Sequence, residues 1–82
     1  GYQTAKNDYE YSIEQYQVSK ENLQLAERIE RKQGIKFKEG LSSSFEYTEA
    51  QRQLYSTQQI YLQSMIDVIN KKTALDKIIN TK

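Results

Sequence analysis

The chain has 82 residues, of which 37% are hydrophobic, and its twelve basic and eleven acidic residues leave a net charge of +1. A chain this short and polar builds one thin domain at most, since the apolar share of globular domains is about 45–50%. The mixed charges favour neither nucleic acid nor an anionic membrane as a partner. No apolar run approaches the roughly 18 residues of a membrane-spanning helix.

The first long segment has the hydrophobic spacing of an amphipathic helix. Proline is absent and only three glycines occur, so little interrupts helical structure along the chain. A stripe of residues repeats here at alternating steps of three and four, which places them on one helix face. Its members are Tyr2, Ala5, Tyr9, Ser12, Tyr16, Ser19, Leu23, Ala26, Glu30, Gln33 and Phe37.

The turn between the two segments contains its own signals. Gly40 suits the left-handed residue that ends a helix. Ser43 and Glu46 form an S-x-x-E capping box, in which the serine accepts an amide proton of the next helix and the glutamate reaches back. We therefore predict that the chain reverses here.

The second long segment carries a matching stripe. Its members are Tyr47, Ala50, Leu54, Thr57, Tyr61, Ser64, Val68, Lys71, Leu75 and Ile78. We predict an all-α fold, an antiparallel two-helix coiled-coil hairpin that fills residues 1–82 as one domain. The predicted helices cover about residues 2–38 and 44–80, with the tip at about residues 39–43.

Folding at the tip brings the two stripes together as one inter-helix seam. The position numbers of facing residues then add up to about 83 or 84. The predicted seam pairs are Tyr9 with Leu75, Tyr16 with Val68 and Leu23 with Tyr61, and Ala26 and Leu54 belong to the same seam.

Each helix carries further apolar residues beside its stripe. They are Tyr11, Val18, Leu25 and Ile29 in the first helix, and Tyr55, Leu62, Met65, Ile69 and Ile79 in the second. Two apolar faces on each helix predict contacts on two sides, as in a closed ring of helices or a larger bundle.

Residues for catalysis are missing from the pattern. The chain has neither histidine nor cysteine, so it cannot build a Ser-His or Cys-His nucleophile. Carboxylates at helical spacing, such as Glu27 with Glu30, are typical of solvated charges. The basic cluster from Arg28 to Lys38 has acidic residues interleaved, such as Glu30, and lacks a ladder of exposed aromatic residues. We expect no enzyme activity, no cofactor or metal, and no nucleic-acid partner.

The stretch that begins at Lys36 resembles a segment of outer membrane efflux proteins of the TolC type. That family's segment runs roughly R-[YF]-x-x-G-L-x-S-x-x-[DE]-x-x-x-A-Q-x-x-L-x-x-A-Q. The matching residues are Lys36, Phe37, Gly40, Leu41, Ser43, Glu46, Ala50, Gln51, Leu54 and Gln58. The flanking sequences resemble the family's helices on either side, so the similarity covers nearly the whole chain. Glu39, Ser42, Ser44 and Thr48 depart from the family's usual residues.

The resemblance implies a place and a role. Such a hairpin is a piece of a larger α-barrel, formed by a homotrimer, that extends into the periplasm from the outer membrane of the Gram-negative cell envelope. Its tip docks a periplasmic adaptor, which links the channel to an inner-membrane transporter. The implied docking residues are Lys36, Phe37, Gly40, Leu41, Ser42 and Ser43.

Two other interpretations stay open. The chain could be the hairpin of the periplasmic adaptor itself, whose tip also contains a serine with flanking arginine and leucine. The Gly-Leu-x-Ser followed by Ala-Gln favours the channel, because Arg31 with Ile35 matches the adaptor spacing only loosely. A generic coiled-coil scaffold is the third interpretation.

Overall fold

The computed structural model describes residues 1–80 and consists there of two long α-helices. Helix α1 is Tyr2–Lys38 and helix α2 is Ser44–Asn80. They lie side by side as an antiparallel hairpin whose Cα trace is 64 Å long and 13 Å across. The all-α hairpin predicted from the sequence is confirmed. Residues 81 and 82, which the prediction included in the hairpin, lie outside the described residues.

Small side chains mark the line of closest contact between the helices. The residues buried in this line are Ser12, Ser19, Ala26, Ala50 and Ser64. All five belong to the stripes predicted from the sequence. The larger stripe residues between them, such as Leu23 and Leu54, are half-buried. This alternation lets the two backbones approach while the larger side chains cover the flanks.

Hydroxyl groups fix the register of the hairpin at its middle. Ser19 Oγ lies 2.7 Å from Ser64 Oγ, and each is also within 2.9 Å of a carbonyl oxygen of its own helix. The position numbers of this pair add up to 83, the register on which the predicted pairs depend. A buried serine here costs little because its hydroxyl group is satisfied.

Tyr16 lies beside this serine pair and is close to two residues of α2, Tyr61 and its predicted partner Val68. Its ring stacks on Tyr61 with the centroids 5.4 Å apart, and the two hydroxyl oxygens are 3.1 Å apart. Tyr16 also lines a small hollow together with Val68, the residue predicted to face it. A knob in a coiled coil enters a space between residues a heptad apart, which explains both neighbours.

Some members of the predicted stripes are less covered than a continuous seam requires. Tyr2, Phe37 and Lys71 belong to the stripes, yet each is exposed. Among the described residues no side chain is completely buried, and the buried apolar residues are the two small ones, Ala26 and Ala50, whereas larger seam residues such as Leu23 are half-buried. A two-helix layer of this kind contributes only modest burial, as its width of 13 Å requires.

Candidate docking tip

The turn between the helices ends α1 with a complete Schellman motif. The Leu41 N–H donates to the Lys36 carbonyl oxygen at 2.8 Å, and the Gly40 N–H donates to that of Phe37 at 3.1 Å. Gly40 has φ +75°, the left-handed conformation that this motif requires. Lys36 and Lys38 occupy the last turn, where positive charge complements the helix dipole.

Leu41 is the most exposed large apolar side chain of the tip, with 72% of its surface accessible. In many Schellman motifs the residue at this position packs back onto the helix that has just ended. Here the corresponding helix positions hold Lys36 and Ile35, and Ile35 is itself exposed. The turn therefore projects Leu41 into solvent, and its own N–H is held by the Schellman motif.

Serine residues begin α2, largely as the capping box predicts. The Glu46 N–H donates to Ser43 Oγ at 3.1 Å, and the Ser43 carbonyl oxygen accepts the Tyr47 N–H at 3.2 Å. The Glu46 carboxylate, which we expected to reach back to Ser43, instead accepts the Ser42 hydroxyl proton at 2.8 Å. The helix start is thus held by two consecutive serines.

Ser42 also connects the turn to α1. Its Oγ lies 2.9 Å from Gln33 Oε1, in addition to its contact with Glu46. A hydroxyl group has one proton and donates to one of these acceptors at a time. The half-buried Ser42 is therefore a polar connection between the ends of the two helices.

Aromatic packing supports the turn from below. Phe37 stacks on Tyr47 of α2, with ring centroids 5.4 Å apart and an interplanar angle of 25°. The Tyr47 hydroxyl donates to Glu30 Oε1 at 3.3 Å. Phe37, which the sequence assigns to the docking tip, is 41% exposed and so belongs both to this packing and to the surface.

Phe45 is a tip residue that the sequence reasoning missed. It is 71% exposed, almost as much as Leu41. The stripe of α2 begins at Tyr47, and Phe45 lies two positions before it, away from the seam. An apolar residue off the stripe and directly after a cap is the pattern that could have identified it.

Charged residues near the tip form one ion pair among the described residues. Arg52 donates to Glu49 through Nε at 3.2 Å and through Nη2 at 2.8 Å, one turn into α2. This hydrogen bond lowers the pKa of Glu49 and raises that of Arg52. Both side chains are well exposed, so the pair adds little stability.

The sides of the hairpin expose the additional apolar residues predicted from the sequence. We call Tyr11, Val18, Leu25 and Ile29 the α1 face, and Tyr55, Leu62, Met65 and Ile69 the α2 face. All are exposed except Met65, which is half-buried. The α1 face borders grooves that it shares with polar residues of α2 such as Gln53 and Gln63.

The α2 face lies on the opposite side of the hairpin. Met65 and Ile69 border a hollow with Tyr16 and Val68, separate from the grooves along the α1 face. The register set by Ser19 and Ser64 places both faces at about the same height, halfway along the rod. The hairpin therefore has one apolar face on each side.

Residues 1–80 contain no group of three or more side chains able to hold a metal ion. Over the same residues, neither helix has a stretch long and apolar enough to cross a membrane. The chain matches no protein-family model, no curated protein and no solved structure. What the geometry defines is a class, a two-helix hairpin with an exposed apolar tip.

Proposed function

We propose that this chain is a periplasmic hairpin of a TolC-like outer membrane efflux or secretion channel. In this role α1 and α2 form part of the wall of a trimeric α-barrel. The turn at Gly40 and Leu41 docks a periplasmic adaptor that leads to an inner-membrane transporter. The proposal draws on the sequence resemblance from Lys36 to Gln58 and on the geometry of the tip.

The exposure of Leu41 is the single observation that carries the docking role. The Schellman hydrogen bonds of Gly40 and Leu41 hold the backbone of the turn, so its conformation does not depend on burying this side chain. A leucine that is 72% exposed at the end of a rod is available to a partner. Its burial in a complex would contribute about 1.5–2 kcal/mol.

The two apolar faces support the wall role. In a hairpin that stands alone, both the α1 face and the α2 face would stay wet, which soluble monomers usually avoid. Helices in a barrel wall have neighbours on both sides and cover such faces. Because the two faces are unlike, contacts between them are heterologous, the type that produces closed rings when the rotation closes.

The test is binding of a purified periplasmic adaptor hairpin to this chain, measured by calorimetry. The variant is Leu41→Asp, and the matched control is Ile66→Asp, an exposed apolar residue of α2 outside both apolar faces. We expect Leu41→Asp to weaken binding by about tenfold or more, the equivalent of losing the buried leucine. The control should bind as the wild type does, with helicity checked by circular dichroism in both.

Equal binding by wild type and Leu41→Asp would contradict the docking site. Binding of the chain to a TolC-type channel tip, with no binding to the adaptor hairpin, would favour the adaptor interpretation. No binding to either would leave the generic coiled-coil scaffold.

A further inference from the structure

Gly34 lies in α1 directly against the ring of Tyr47. A Cβ atom built at Gly34 would lie 3.3 Å from Cε1 of Tyr47 and 3.5 Å from its Cζ and Oη. The first distance is tighter than nine in ten real Cβ contacts, so even alanine requires the ring to move by a few tenths of an ångström. The tyrosine ring occupies the space that a side chain at position 34 would need.

The same ring is held on two further sides by residues of α1. Phe37 stacks on it, and Glu30 accepts its hydroxyl proton. Positions 30, 34 and 37 follow the spacing of one helix face. Tyr47 thus lies across two turns of α1, with Gly34 at the centre of its contact surface.

Phe37 connects this contact to the turn. Its ring stacks on Tyr47, and its carbonyl oxygen accepts the Gly40 N–H in the Schellman motif. A displacement of Tyr47 would therefore reach the residue that anchors the turn. Leu41 follows directly after Gly40.

Glycine inside a helix is unfavourable relative to alanine, and such a residue usually has a packing reason. Helix α1 continues without interruption through Gly34 to Lys38, so this glycine does not end the helix. The close approach of Tyr47 supplies the packing reason.

We propose that Gly34 is a positioning residue for the docking tip. Because position 34 has no side chain, the Tyr47 ring can pack against α1 there. Tyr47 in turn holds Phe37 and the turn in the orientation that presents Leu41. The inference rests on the docking role proposed above, and it names a residue outside the tip on which docking depends.

The experiment compares Gly34→Leu and Gly34→Ala with the wild type. Both replacements raise the helix propensity of α1, so a loss of docking cannot come from a weaker helix. The matched control is Gln24→Leu, which adds a leucine at an exposed position of the same helix. Ring-to-ring nuclear Overhauser effects report the Phe37–Tyr47 stack, with the distant Tyr16–Tyr61 stack as an internal reference.

For Gly34→Leu we expect unchanged or higher helicity, loss of the Phe37–Tyr47 contacts, and adaptor binding several-fold weaker than in the wild type. Gly34→Ala should lie between the two, and Gln24→Leu should match the wild type. Retained Phe37–Tyr47 contacts in Gly34→Leu would refute the claim that the Tyr47 ring needs the space left by Gly34. Lost contacts with unchanged binding would overturn the positioning role.

If the wild type binds no adaptor at all, the docking role fails and the positioning role fails with it. The ring contacts in the variants then still decide separately whether Gly34 seats Tyr47.

Discussion

A disulfide across the middle of the hairpin tests the register on which the whole fold depends. The chain has no cysteine, so an engineered pair has no competitor. We choose Ser19→Cys with Ser64→Cys, because these hydroxyl oxygens are 2.7 Å apart and buried. Sulfur atoms in a disulfide are about 2.05 Å apart, so a small side-chain adjustment closes the bond.

The expected stabilisation follows from the size of the closed loop. The two positions are 45 residues apart. Restricting the unfolded chain with a loop of about 45 residues raises the free energy of unfolding by about 4 kcal/mol. Both forms lack the two hydrogen-bonded hydroxyl groups, each worth about 1 kcal/mol, so that loss cancels when the oxidised and reduced variants are compared.

The assay is urea unfolding of the oxidised and reduced double variant, followed by circular dichroism. Non-reducing gels show whether the bond forms within one chain or between two. The control is Ser12→Cys with Ser64→Cys, another buried pair. Ser12 lies seven residues from Ser19, about 10 Å along the helix axis. The control pair should therefore stay reduced within the monomer.

Two results would refute the register. One is rapid oxidation of the control pair within single chains, as fast as for the test pair. The other is a test pair that forms only disulfides between two chains.

Three further predictions concern the turn, the tyrosine pair and the α1 face. Gly40→Ala should lower the free energy of unfolding by about 1–2 kcal/mol, because the φ of +75° disfavours a side chain even though no atom lies within 4 Å of an added Cβ. Gly40→Asn should lose less stability. Equal urea midpoints for the wild type and Gly40→Ala would argue against a left-handed residue at this position. The hydrogen bond with Tyr16, and to a smaller extent burial, raise the pKa of Tyr61. This contact therefore stabilises the hairpin at pH values below the normal tyrosine pKa of about 10, and the stabilisation is lost as the pH rises through the raised pKa of Tyr61. An absorbance titration of tyrosinate should show one late group that disappears in Tyr61→Phe, and an unchanged titration curve would contradict this. Leu25→Glu should reduce self-association of the chain in sedimentation experiments. The melting temperature of this variant should change little, because Leu25 is exposed. Unchanged self-association would exclude the α1 face as a contact surface between chains.

The seam was predictable because helical spacing determines which residues share a face. All five buried residues are members of the predicted stripes, from Ser12 to Ser64. The spacing could not show that Phe37 and Lys71 lose cover, because exposure at a given height depends on the local distance between the helices.

Contacts between side chains were less predictable than the faces. The sequence identified Gly40 and the Ser43 cap, since both have strong local preferences. It did not reveal that the Ser42 hydroxyl group donates to the Glu46 carboxylate, or that the Tyr47 ring packs against Gly34. Those contacts depend on rotamers and on the approach of two helices, which a one-dimensional pattern does not contain.

The proportions of the hairpin make it a lever. Its Cα trace extends 64 Å in one direction and only 13 Å in the other two. If the rod moves as a rigid body, a rotation of about 5° at the open end displaces Leu41 by roughly 6 Å. A small rotation at the end of the rod where α1 begins and α2 ends is thus amplified at the turn into a shift about as large as a side chain.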